Sequence, residues 1–333
     1  MTTSRGRTAW ILAGLVPALF LLALLIGRYG IRVDETLRAI FLPESVSDVL
    51  RALIVRVRLP RALAAACIGA NLAVTGAAFQ GLFRNPLVDS RILGISSGAA
   101  FGTAVALLVS VGTVGLQLSS FAFALLAVGL VCLIGLRFGS APLVLVVGGI
   151  LVSAFFNALL GLVKYVADPL SSLPAITYWL LGGLSDARWS TIVPLLVLSG
   201  LSIAFFLAVR WRMNVLTLSE AEATALGVRV GRFRVAVIFV GTLAIAASVS
   251  VGGIIGWVGL LVPHVARAWV GPDHGRLVPV SIGLGASTLL LLDLIARTAL
   301  PSEIPLGILT GLIGVPAFLF LFLRFLRARG EVR

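Results

Sequence analysis

Residues 58–99 read RLPRALAAACIGANLAVTGAAFQGLFRNPLVDSRILGISSGA. A basic Arg58-Leu59-Pro60-Arg61 leads into an apolar, Gly- and Ala-rich stretch of helical length. Asn85-Pro86-Leu87 and a Gly94-Ile95-Ser96-Ser97-Gly98 turn follow. In lipid, small residues let helix backbones approach closely, and a passive anchor needs only leucine. The stretch is built for a membrane and punctuated for movement.

The rest of the chain agrees. Of 333 residues 59% are hydrophobic and only 12% charged, and the mean hydropathy is +1.12. Soluble domains carry about 25% charged residues, so the composition is that of an integral membrane protein. A helix needs ~20 apolar residues to cross the hydrocarbon core. Such spans fall at residues 9–27, 60–80, 92–111, 117–137, 141–165, 190–209, 234–252, 254–270, 277–297 and 304–325, with an uncertain division around Gly252–Gly253. The expected class is all-α and polytopic, with about ten transmembrane helices. Little sequence is left for a soluble domain, so an ATP-binding or catalytic domain is expected on another chain. The first span is too long for a typical signal-peptide core and lacks a cleavage pattern. Cys67 and Cys132 both fall in apolar spans and read as structural thiols.

The net charge of +13 is nearly all arginine. Arg5 and Arg7, Arg84 and Arg91, Arg210 to Arg234, Arg267 and Arg276, and Arg324 to Arg333 fall on one side of a ten-span topology. The positive-inside rule makes that side cytoplasmic, with both termini inside. Residues 28–61 break the rule, with seven arginines against four acids on the outer side. Two readings stand: local ion pairing with snorkelling at the interface, and a docking surface for an acidic partner. Arg58 and Arg61 flank a proline at the mouth of a span, where a guanidinium can grip a carboxylate bidentately.

On the inner side, Leu218 to Gly227 (LSEAEATALG) reads as a short helix. Ser219 or Thr217 can cap it, Glu220 and Glu222 suit its positive end, and Gly227 suits the left-handed position after it. It is too short to be stable alone, so it either lies at the interface or docks into a cytoplasmic partner. The spans hold almost no ionisable groups of the kind ion-coupled transport needs. Asp293 lies four residues before Arg297, which reads as a helical ion pair more readily than as a proton relay. His264 reads as a hydrogen-bonded helix residue. No H-E-x-x-H or phosphate-binding GK[ST] motif is present. A secondary transporter or channel and a membrane-embedded enzyme are the rival classes. The dearth of membrane carboxylates opposes the first, and the missing catalytic constellation opposes the second.

Several ordered motifs resemble the permease family of bacterial ABC importers for iron chelates, haem and vitamin B12, the FecCD type. They are the opening stretch, YWLLGGLSDARW at 178–189, LSEAEATALGVRVGRFR at 218–234, VGGIIGWVGLLVPHVARAWVGPDHGRLVPVSIGLGAS at 251–287 and EIPLGILTGLIGVPAFLFLFL at 303–323. The resemblance implies the type II importer permease fold, with one permease domain over 1–333 and a coupling loop over about 211–233. It implies a second permease copy as partner, most simply a homodimer, with two ATP-binding subunits, a substrate-binding protein and membrane lipid, and no nucleic acid. No cofactor is expected on this chain, with ATP and Mg on the partner ATPase, and the location is the bacterial cytoplasmic membrane.

By position, Arg58, Arg61 and Arg297 match arginines that meet acidic residues of the binding protein. Asn85 and Leu87 match the cytoplasmic gate, and Leu218, Ser219, Glu220, Glu222, Ala225, Leu226 and Gly227 match the ATPase-coupling helix. Val88-Asp89-Ser90 departs from the alanine, acid and proline that many relatives carry. Ferric siderophore is the first cargo implied, then haem and cobalamin, with molybdate-type oxyanions remote.

Overall fold

Small side chains decide how this chain packs. The computed structural model describes residues 3–27, 29–89, 91–139, 142–218, 220–227 and 229–328, and those residues contain helices and turns but no strand. Fourteen α-helices follow in order. They are α1 (Thr3–Leu25), α2 (Val33–Phe41), α3 (Asp48–Ala52), α4 (Leu59–Leu82), α5 (Ile95–Leu108), α6 (Thr113–Phe138), α7 (Pro142–Val166) and α8 (Ser172–Leu180). Then come α9 (Trp189–Met213), α10 (Glu220–Ala225), α11 (Val230–Gly252), α12 (Val258–Val270), α13 (His274–Thr298) and α14 (Leu306–Ala328). Six helical stretches are long and apolar enough to cross a membrane, and four shorter apolar helices accompany them. Together they account for the ten expected spans.

The axis is α4. Its most apolar window is 83% buried, whereas those of α6, α7 and α9 are 28–33% buried and turn apolar faces outward. Leu118, Leu126, Leu133, Leu143, Leu151, Val197 and Leu201 on those faces are exposed, as a lipid-facing surface requires. α4 packs chiefly against α13, with α9, α11 and α12 around it. Two glycine contacts make this possible. A Cβ at Gly69 would overlap the Gly285 carbonyl, and one at Gly76 would overlap the Gly259 carbonyl. Backbones this close gain dispersion contacts that Leu–Leu packing cannot supply in lipid.

Three features depart from the hydropathy reading. First, the outer stretch 28–61 is largely helical rather than a loop. After α2 and α3 a π-helical segment, Leu53–Arg58, runs without a break into α4, giving one 35-residue helix, Asp48–Leu82. Arg58 and Arg61 therefore sit inside a helix, not at the mouth of one. Second, the span at 92–111 is shortened to the 14 residues of α5. Gly94, at φ +76°, is its N-cap, so Gly-Ile-Ser-Ser-Gly starts a helix instead of forming a free turn. Third, the division near Gly252–Gly253 is a non-helical break at 253–257, flanked by Gly253 (φ +66°) and Trp257 (φ +68°), which leaves α12 with 13 residues. Hydropathy misplaces the ends of α5 and α12 because the residues beside them are as apolar as the helices.

Gly69→Ala is expected to destabilise the purified permease by about 2–3 kcal/mol, because neither backbone can yield without parting α4 from α13. Gly161→Ala on α7, where a Cβ meets nothing within 4 Å, should be neutral or slightly stabilising. Thermal unfolding in detergent reads the difference, and equal shifts would contradict the packing assignment.

Candidate functional site

At the outer end the buried charges form one cluster. Arg61 on α4 donates Nε to Asp293 Oδ1 at 2.9 Å and Nη1 to Glu303 Oε1 at 2.9 Å, and its Nη2 also pairs with Asp293 Oδ1 at 2.9 Å. Glu303 Oε2 in turn accepts from Ser185 Oγ at 3.1 Å. Arg297 Nε lies 3.7 Å from Asp293 Oδ2, the helical pair the spacing suggested, and its Nη2 donates to the Ala23 carbonyl at 2.5 Å. Arg58 donates to the Leu24 and Leu25 carbonyls at 2.7 and 2.8 Å and to that of Tyr29. The last carbonyls of α1 have no partner within the helix, and cations at a helix C-terminus satisfy both the hydrogen bond and the dipole. Arg58 and Arg297 thus fasten α1 to α4 and α13.

Arg58, Arg61 and Arg297 are only 4%, 7% and 7% exposed. Expected to meet acidic groups of a binding protein, they have their guanidinium groups engaged inside the chain. Exposed arginines at this end include Arg32, Arg38, Arg51, Arg56 and Arg188. Arg32 pairs with Asp34 at 3.7 Å and Glu35 at 3.3 Å, and Arg38 with Asp34 at 2.5 Å. Local ion pairing therefore accounts for the α2 part of the charge anomaly. The sequence reading missed Glu303, which is distant from Arg61 in the chain and carries no periodic signal.

Mid-membrane, Asn71 on α4 donates to Ser199 Oγ on α9 (2.7 Å) and to Ser248 Oγ (3.1 Å) and the Ala244 carbonyl (3.3 Å) on α11. A search for ionisable groups passes over such a neutral tie between three helices. His264 on α12 stands at a steep angle to Phe318, with centroids 6.1 Å apart, and its Nδ1 has no hydrogen-bond partner among the described residues. The expected hydrogen-bonded histidine is, at that nitrogen, an aromatic contact instead. Cys67 and Cys132 are free and half-buried.

At the inner end three turns meet. Past α4, Asn85 Oδ1 accepts from Leu87 N at 2.9 Å, and Asn85 N donates to the Gln80 carbonyl at 3.1 Å. Leu87 is 51% exposed at the tip. Gln80 Nε2 holds the Val88 carbonyl at 3.3 Å while its Oε1 accepts from Arg267 at 2.9 Å. Asp89 pairs with Arg91 at 2.9 Å in the departing Val88-Asp89-Ser90 turn; Ser90 lies outside the described residues. In the second turn Asn214 donates to Asp273 at 2.6 Å and accepts from His274 N at 2.8 Å. Partial burial pushes the Asp273 carboxyl up, but the Asn214 amide, the Gly275 N–H and Arg276 outweigh it and hold it below the usual range.

The coupling segment follows. α10 covers Glu220–Ala225, and Gly227 adopts φ +75° with its N–H donating to the Thr224 carbonyl at 2.9 Å. Ser219, one proposed cap, lies outside the described residues. The other, Thr217, donates to the Asn214 carbonyl at 2.6 Å, a bond directed away from α10. Leu218, Glu222, Ala225, Leu226 and Gly227 are exposed, and Ala223 is buried in the core. Leu226 is 63% exposed, an apolar side chain turned away from the chain it belongs to.

Comparison with known proteins places this geometry. Residues 15–324 match the FecCD transport family. A molybdate import system permease protein of Haemophilus influenzae is 38% identical over 315 residues, covering 92% of this chain and 94% of that one. A cobalamin import system permease protein of Halobacterium salinarum is 40% identical, over 83% of this chain and 74% of its own. A solved structure described as an inward-facing conformation of a putative metal-chelate type ABC transporter superposes with a TM-score of 0.87. It is 37% identical and covers 95% of this chain and 98% of that one.

Asp293→Asn removes the shared carboxylate and leaves Arg61 and Arg297 buried with less counter-charge. It should cost about 3–5 kcal/mol, whereas Arg38→Ala, which breaks an exposed pair, should stay within ~0.5 kcal/mol. Denaturant or thermal unfolding of the purified permease measures both, and a neutral Asp293→Asn would contradict the structural role of the cluster.

Proposed function

The chain belongs to the FecCD transport family, and on that premise we propose that it is the permease subunit of an ATP-driven importer for a metal chelate. It is a multi-pass membrane transport subunit, and ATP hydrolysis belongs to a separate ATPase subunit. In this reading 1–333 is one permease domain in the bacterial cytoplasmic membrane, with both termini inside. The assembly is two copies of this chain around a central path, two ATPases with ATP and Mg on the inner face, and a binding protein outside.

The observation that carries the proposal is the exposed inner segment, in which Glu222, Ala225, Leu226 and Gly227 offer a small mixed surface on a short helix. In this reading α10 fits a cleft in the ATPase, and nucleotide binding there moves the inner turns. Asn85 and Leu87 then open or close the cytoplasmic end. On the outer face Arg58, Arg61 and Arg297 hold together the surface on which the binding protein docks, and the exposed Arg51 and Arg56 offer it positive charge for acidic groups. Affinity for cargo resides in the binding protein, so the path itself needs no charged grip. Ferric siderophore is the first cargo, with haem and cobalamin next. An oxyanion such as molybdate is a second reading, favoured by the relative of that name that aligns over 92% of this chain.

Liposomes holding the permease with its ATPase and binding protein should accumulate one of ferric siderophore, haem, cobalamin or molybdate only when ATP is present. Gly227→Val forces a β-branched residue into the left-handed region, costing about 1–2 kcal/mol locally. It should cut uptake or detach the ATPase. Accumulation without ATP, or normal uptake and normal co-purification in Gly227→Val, would contradict the proposal.

A further inference from the structure

Arg84 is the second residue after the buried Gly81-Leu82 end of α4, and it adopts φ +49°, a backbone region that L side chains seldom occupy. An asparagine or a glycine would take that conformation more readily than an arginine. The side chain accounts for the choice. Its Nε donates to the Leu216 carbonyl at 3.2 Å, and its Nη2 donates to the Leu218 carbonyl. Those two carbonyls lie just before α10, and Arg84 lies just before Asn85 and Leu87. A charged donor makes stronger hydrogen bonds than a neutral one, and the planar guanidinium can hold two acceptors in fixed geometry.

We propose that Arg84 is the mechanical link between the coupling segment and the cytoplasmic gate. This rests on the functional reading above and deepens it. Movement of α10 shifts the Leu216–Leu218 backbone, and the guanidinium draws the 84–88 turn with it. The opposite end of the same inner turn is held separately, by Asn214 on Asp273 and His274. Displacement of α10 is thereby directed to the Arg84 side. Within the gate turn, Asn85 Oδ1 on Leu87 N keeps the tip rigid, so that the pull reaches Leu87 undiminished. Arg84 is a positioning residue; it need not touch cargo or nucleotide.

The full complex with its ATPase provides the test, and no knowledge of cargo is needed. Cys67→Ala and Cys132→Ala clear the native thiols, and Leu87→Cys supplies a reporter whose maleimide labelling is compared without nucleotide and with ATP plus vanadate. With Arg84 present, the labelling rate should differ between the two states by about fivefold or more. Arg84→Gly keeps the positive φ available but removes the guanidinium. It should abolish that difference while ATP hydrolysis and ATPase co-purification persist, and Arg84→Lys should restore part of it. A full nucleotide-dependent difference in Arg84→Gly would overturn the proposal, as would joint loss of hydrolysis and co-purification, which would make Arg84 a purely structural residue. No nucleotide dependence in the Arg84-containing protein, with hydrolysis intact, would overturn the Asn85–Leu87 gate itself and the link with it.

Discussion

Everything else in the structure depends on α4 being close enough to its neighbours for backbone to touch backbone. Lipid offers no hydrophobic drive for helix association, so packing must come from contact area and from polar groups satisfied inside the bundle. Gly69 against Gly285 and Gly76 against Gly259 supply the contact along most of α4. Asn71 supplies the polar tie to α9 and α11. Arg61, Asp293 and Glu303 close the outer end. In the proposed mechanism this spine stays rigid and movement is confined to the inner turns.

The outer arginines show how charge in a membrane protein serves structure before it serves recognition. A buried guanidinium must be paired or bonded, and each of these three is. Arg58 and Arg297 satisfy carbonyls at the end of α1, so a partner's carboxylate would have to compete with bonds that hold the helix in place. Exposed arginines on α3 and in the π-helical segment carry no such duty. Along the 48–61 stretch Arg51 and Arg56 are exposed, while Arg58 and Arg61 are buried.

How much of this was legible in the sequence follows from what each signal measures. Hydropathy located all ten apolar helices, because burial in lipid requires only long apolar runs. It marked a division near Gly252–Gly253 but not the extent of the break at 253–257, since Gly252, Gly253, Ile254 and Ile255 are as apolar as any helix. The i,i+4 spacing revealed Asp293 with Arg297, but a tie such as Arg61 to Glu303 has no spacing rule. The left-handed glycine at 227 was readable from helix-stop chemistry. The left-handed arginine at 84 was not, because nothing in composition marks a non-glycine residue held there by its own side chain.

A rigid α4–α13 spine with motion confined to the inner turns is the central claim. Hydrogen–deuterium exchange of the complex, with and without ATP, tests it most directly. Exchange should change within residues 84–94 and 214–227 and remain unaltered through the glycine contacts of α4 and α13. A change concentrated at Gly69, Gly76 and Gly285, with the inner turns unmoved, would contradict it.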